Sequence, residues 1–273
     1  MKNYKGTPDE LVASLWQNRS LILALTRRDI TGRYRGSLLG ILWSFVNPLL
    51  MLGVYTFAFG VIFGARWTTG SDSKMEFAII LFAGMLVFQL FSECMNRAPS
   101  LVLSNPSYVK KVVFPLEILP IVSLGSSLFH MLVSLLVWLL FYLIGFGLPS
   151  PTILLLPVVM LPLILFTIGT SWILASLGVY LRDVGHMVSS LTLMLMFLSA
   201  VFYPIESLPE SLRTPLMVLN PLVFHVEICR QLMVWGKLPV WSSWTIYFGF
   251  GLVVTFLGFA WFQKTRRGFA DVL

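Results

Sequence analysis

Residues 27–63 read RRDITGRYRGSLLGILWSFVNPLLMLGVYTFAFGVIF, and the second half of this stretch decides the fold. Arg27, Arg28, Arg33 and Arg35 crowd its start, and from Leu38 to Phe63 no charged side chain follows. A run of ~20 apolar residues is enough to cross the hydrocarbon of a bilayer as a helix, so 38–63 is a membrane span. Asn47 and Pro48 lie inside it, and the proline predicts a kink. A basic cluster immediately before a span marks the cytoplasmic side.

Outward from this segment, five more apolar stretches follow, at 77–95, 118–146, 152–181, 187–203 and 241–262. The whole chain of 273 residues is 57% hydrophobic and only 11% charged, against about 25% charged in soluble domains. Its mean hydropathy is +0.85. The expected fold is therefore an all-α polytopic membrane protein with six transmembrane helices in a single domain, 38–273, and no room for a sizeable soluble domain. Residues 1–37 form a cytoplasmic arm too long and too charged for a signal peptide. Within it Thr7, Pro8 and Glu10 spell a capping box, and Leu11, Val12, Leu15, Trp16, Ile22 and Leu25, interrupted by Gln17, Asn18 and Arg19, predict an amphipathic helix over 8–30 lying in the interface.

Between spans five and six, residues 205–224 read IESLPESLRTPLMVLNPLVF. Three prolines break this stretch too often for a span, and a pair of short re-entrant helices in the outer leaflet fits it better. Lysine and arginine then divide as fourteen inside and five outside, the outer five being Arg66, Lys74, Arg213, Arg230 and Lys237. Both termini are expected in the cytoplasm. The net charge of +7 is explained by this bias and by anionic lipid headgroups, with no nucleic-acid partner needed. Cys94 and Cys229 fall on opposite sides, which argues against a disulfide.

Catalytic chemistry is hard to find. No GxxxxGK[ST], CxxC, HExxH or GxSxG string occurs, so no catalytic residue, metal site or cofactor is expected in this chain. His130, His186 and His225 are far apart, and His130 is expected to hydrogen-bond a neighbouring helix. Glu93 and Glu117 sit near the inner ends of their spans and the mid-membrane is almost free of charge, unlike a proton-coupled carrier. The arginines 27, 28, 33 and 35 admit two readings: anchorage to anionic lipid at ~1 kcal/mol per charge, or bidentate capture of a phosphate or diphosphate. Trp43, Tyr55, Phe57, Phe197 and Tyr203 are candidates to line a sugar passage, or else serve helix packing. The serines 123, 126, 127 and 134 are candidate packing positions.

The opening stretch resembles the amino-terminal signature of permeases in the type-2 ABC exporter family that carries polysaccharides. Two further segments extend the resemblance over most of residues 20–240: FAGMLVFQLFSECMNRAPSLVLSNPSYVKKVVFPLEILP at 82–120 and FYPIESLPESLRTPLMVLNPLVFHVEICRQLMVWGKLP at 202–239. One departure is Leu116, where many members carry a basic residue. The resemblance implies a homodimer of six-span subunits in the bacterial inner membrane. It also implies a separate ATP-binding-cassette ATPase dimer that binds ATP and Mg, and a coupling segment at 97–113. Arg97, Asn105, Tyr108, Lys110 and Lys111, with Arg182 and Asp183 in the turn after span four, are expected to meet that ATPase. The implied cargo is a polyprenyl-pyrophosphate-linked polysaccharide, O-antigen before capsule or teichoic acid. A small-molecule exporter of the same broad family is the alternative, and the short first outer loop disfavours it.

Overall fold

The structure is a computed structural model that describes residues 6–62, 67, 73–109 and 114–272. The described residues form helices and no strands. Two arm helices, α1 (Pro8–Gln17) and α2 (Arg19–Arg33), precede span one, which starts as a 3-10 turn at Gly40–Leu42, runs as α3 (Trp43–Tyr55) and ends as a π-helix at Thr56–Ile62. Next come α4 (Lys74–Arg97), a 3-10 turn at Ala98–Ser100, the short α5 (Pro106–Val109), α6 (Ile118–Phe146), α7 (Leu156–Tyr180) and α8 (Val184–Leu198). The chain ends with α9 (Glu210–Leu219), α10 (Pro221–Met233), α11 (Trp241–Thr265) and α12 (Phe269–Val272).

Five of these segments are long and apolar enough to cross a membrane: 40–62, 74–100, 118–146, 151–180 and 241–272. Helix α8 has 15 residues, about 22 Å at 1.5 Å per residue against a hydrocarbon core of ~30 Å. It begins before the predicted 187 and ends before the predicted 203, because Ala200 adopts a left-handed conformation at φ 53°, which closes a helix. Helices α9 and α10 meet at 102° around Asn220. Proline and asparagine set this corner. Pro221 takes the first helical position, and the Asn220 side chain accepts from Leu222 N–H at 3.1 Å while donating to Leu198 O and Ser199 Oγ.

The core is built around α4, 72% of whose most apolar window is buried; the corresponding figure for span one is 11%. The α-helical part of span one fully buries only the stripe of Ser44, Pro48 and Leu52, whereas α4 is enclosed by neighbours. Trp138 of α6 is fully buried and its indole donates to Ile79 O at 3.0 Å, and Trp172 of α7 likewise donates to Glu117 O at 2.9 Å. The four serines of α6 at 123, 126, 127 and 134 are all buried. A close seam joins α7 and α11. A Cβ placed on Gly258 would lie 2.1 Å from Gly169 O, and one on Gly169 2.4 Å from Val254 O. Small residues let helix backbones touch in the absence of a hydrophobic force between spans, and Thr255 Oγ1 adds a 2.7 Å bond to Leu165 O.

Three local expectations are corrected. The arm helix predicted over 8–30 breaks at Asn18 (φ −98°, ψ 13°), whose side-chain amide donates to Ser14 O at 2.8 Å and competes with the helical ladder. The capping box is not made: Thr7 gives no side-chain bond, and Glu10 accepts at 2.8 Å from the N–H of Gly6, one residue before the cap. Arg230 is not in an outer loop. Helix α10 continues past 224 to Met233, and Arg230 on it has no exposed surface.

Candidate functional site

The arm, the connector after α4 and the tail after α11 all converge at one end of the bundle. Asp29 of α2 accepts from Arg97 Nη2 at 2.7 Å at the end of α4. Arg33 forms an ion pair with Glu93 of α4, and Glu93 Oε1 lies 3.1 Å from His130 Nδ1 on α6. Tyr34 completes the chain, its hydroxyl 3.0 Å from His130 Nε2. The His130 ring thus meets Glu93 and the Arg33 guanidinium through Nδ1 and the Tyr34 phenol through Nε2. Burial raises the Asp29 carboxyl, but the Arg97 hydrogen bond and charge, with Arg33 nearby, outweigh it and hold the group below the usual range. Burial pushes the Tyr34 phenol up, so it stays a donor.

A second set closes the same end. Ser14 Oγ donates to Glu117 Oε1 at 2.7 Å, and Arg266 from the tail donates to Glu117 Oε2 and to Phe114 O, both at 2.6 Å. The Arg266–Glu117 pair is sheltered, with side-chain exposures of 9% and 7%. Arm, spans two and three, and tail are thereby tied by charge across 60 to 149 positions of sequence.

The four arginines of the sequence-predicted phosphate site separate. Arg33 faces Glu93 and His130. Arg28 and Arg35 share an open cleft of about 420 Å³ with Thr31, Gly32, Tyr34, Gly40 and Ile41, at the joint between the arm and span one. Arg27 is exposed on α2, outside that lining. In the connector, Arg28 Nη2 donates to Tyr108 OH at 2.8 Å, Tyr108 stacks on Phe114 with ring centroids 4.1 Å apart, and Asn105 Nδ2 donates to Leu101 O at 2.9 Å. Lys110 and Lys111 lie outside the described residues. Arg182 and Asp183 are exposed in the turn between α7 and α8. The connector is seated against the end of α7 just before that turn: a Cβ on Gly178 would lie 2.1 Å from Pro99 O.

Of the five aromatic candidates, three come together. Tyr55 and Phe197 approach Phe202 with centroids at 5.2 and 5.5 Å, and Tyr203 OH donates to Phe197 O at 2.9 Å. Phe59 stacks on the same Phe202 at 4.6 Å. Phe57 is exposed and Trp43 half-buried, both apart from this group. Among the described residues no three histidine, cysteine, aspartate or glutamate side chains gather in a way that could hold a metal ion.

At the opposite end sits the residue that sequence reasoning misplaced. Arg230 donates to Ile80 O at 3.2 Å, to Ala200 O at 2.7 Å and to Val201 O, and its guanidinium lies 4.2 Å from the Trp67 ring centroid. The signal was present: Val223, Val226, Arg230 and Met233 fall at helical spacing on one stripe, so an arginine occupies a core position of an amphipathic helix.

A helical bundle of this apolarity, with a charged, interlocked end and a connector held beneath it, defines a polytopic membrane protein. A model of the ABC-2 type transporter family matches residues 20–234, and the chain belongs to that family. It is 30% identical over 262 residues to the O-antigen export system permease protein RfbA of Myxococcus xanthus, covering 96% of this chain and 98% of the relative. A protein of the same description from Klebsiella pneumoniae is 26% identical over 254 residues, covering 93% of this chain and 95% of the relative. The polysialic acid transport protein KpsM of Escherichia coli is 27% identical over 249 residues, covering 89% and 92%.

Proposed function

We propose that this chain is the membrane-spanning subunit of an ATP-driven exporter that moves a lipid-linked polysaccharide, O-antigen first, across the bacterial inner membrane. The observation that carries this reading is the cleft of Arg28 and Arg35 at the foot of span one. Two planar guanidinium forks at a membrane entrance suit a diphosphate whose lipid tail stays in the bilayer. The relatives' names, O-antigen export and polysialic acid transport, support a polysaccharide as cargo. In this reading two copies enclose the passage between them, with the largely uncovered span one and the Tyr55, Phe197 and Tyr203 group facing it. A partner ATPase dimer binds ATP and Mg and pushes on the connector and on the turn at Arg182 and Asp183. Both termini lie in the cytoplasm, α8 crosses with help from residues 199–203, and α9 with α10 dips into the outer leaflet.

A capsule polysaccharide is the second reading, favoured by the similarity to the polysialic acid transporter. The test is ATP hydrolysis by the chain in lipid, with and without its candidate ATPase and with and without lipid-linked glycan. Hydrolysis that needs both chains and responds to the glycan supports the reading, and the glycan that elicits the response decides between O-antigen and capsule. Transport on a proton or sodium gradient with no ATPase bound overturns it.

A further inference from the structure

We propose that the Arg28–Tyr108 hydrogen bond reports occupancy of the basic cleft to the connector: an anionic diphosphate in the cleft takes Arg28 away from Tyr108 and frees α5. This rests on the reading of the cleft as the lipid-diphosphate site and adds to it a means of sensing. The argument begins with competition for one guanidinium. Arg28 both lines the cleft and donates through Nη2 to the Tyr108 hydroxyl at 2.8 Å. A neutral phenol accepts one bond, whereas a phosphate oxygen pair accepts a charge-assisted bidentate one about twice as strong, so a bound diphosphate outcompetes the phenol.

What Tyr108 holds is easily shifted. Helix α5 has four residues, far below the length at which a helix is stable by itself. It is retained by the Tyr108–Arg28 bond, by the Tyr108–Phe114 stack at 4.1 Å and by the turn at Asn105, whose side chain donates to Leu101 O. Phe114 in turn offers its carbonyl to Arg266, which also holds Glu117 at the start of α6. Loss of one bond at Tyr108 thus loosens a segment that touches the arm, the foot of α6 and the tail. Linkage is reciprocal: if diphosphate binding breaks the Arg28–Tyr108 bond, removing that bond tightens diphosphate binding.

The test uses the full chain in nanodiscs of neutral lipid, with a short-chain polyprenyl diphosphate as probe, and reads two quantities. These are the dissociation constant and hydrogen exchange of the backbone amides over 101–109. In the wild-type chain the probe should bind and raise exchange over 101–109. Tyr108→Phe, which keeps the Phe114 stack and removes only the hydroxyl, should bind the probe roughly 2- to 10-fold tighter. Its connector should exchange fast already without the probe, with no further rise on binding. Arg35→Gln should weaken binding and leave the unliganded connector protected. Equal affinity in wild type and Tyr108→Phe overturns the sensing proposal and leaves the cleft reading standing. Failure of the wild-type chain to bind the probe overturns both. A full connector response to phosphatidylglycerol nanodiscs without the probe overturns the assignment to the substrate diphosphate, because a lipid headgroup then supplies the phosphate.

Discussion

Replacement of Arg230 by methionine should destabilise the folded chain by about 2–4 kcal/mol. The side chain has no exposed surface and joins α10 to Ile80 of α4 and to Ala200 and Val201 beyond α8, with Trp67 against its face. Methionine fills much of the same volume but gives up three hydrogen bonds, leaving the carbonyls of Ala200 and Val201, beyond the end of α8, without this donor; Ile80 O remains within the α4 ladder. Interhelical hydrogen bonds within membranes are worth ~0.6–1.7 kcal/mol each, so three amount to roughly 2–5 kcal/mol. A lost cation–π contact of order 1 kcal/mol adds to this, and relief from burying the guanidinium subtracts. Lysine at 230 keeps the charge but not the planar fork, and should recover about half of the loss. Equilibrium unfolding of the purified chain in mixed micelles, titrated with a denaturing detergent and followed by circular dichroism, measures the difference. A methionine variant within about 0.5 kcal/mol of wild type, a usual change for an inconsequential surface site, would refute the view of Arg230 as the tie between these segments.

Gly258→Ala puts a Cβ 2.1 Å from Gly169 O, so α7 and α11 must separate; a cost of about 1–3 kcal/mol is expected for such overpacking, readable in the same titration. Gly178→Ala drives a Cβ to 2.1 Å from Pro99 O and should displace the connector, leaving the chain inserted while export per ATP hydrolysed falls several-fold in proteoliposomes. Asp29 has a carboxyl held below its ordinary value, so its contribution is complete above the unfolded value of about 3.9 and is lost as pH falls through the lower folded value. The unfolding midpoint should therefore drop at the acid end of a pH series, and Asp29→Asn should flatten that part of the curve.

The spans were legible because bilayer thickness turns length and apolarity into a count that needs no partner. Residues 118–146 come out as the helix predicted. The site was legible only in type. The sequence places Arg28 and Arg35 before span one, but their shared cleft, and the diversion of Arg33 to Glu93 and His130, depend on how α2 lies across α4 and α6. Charge counting put Arg230 with the outer loops because it treats every arginine as solvated. The stripe Val223, Val226, Arg230, Met233 carried the contrary signal, which acquires meaning only once Ile80, Ala200 and Val201 are seen to supply acceptors. The break at Asn18 was hidden for a different reason. A side-chain bond to Ser14 O decides it, and hydropathy does not register such a bond.

The glycine seam between α7 and α11 also sets a timetable for biosynthesis. Helix α7 ends at Tyr180 and its partner spans Trp241–Thr265, so at ~5–20 residues per second the partner is complete roughly 4–17 s after α7 has been made. For that interval the bare backbone at Gly169 and the carbonyl of Leu165 wait for Gly258 and Thr255. The span that closes this face, α11, is made well after α7.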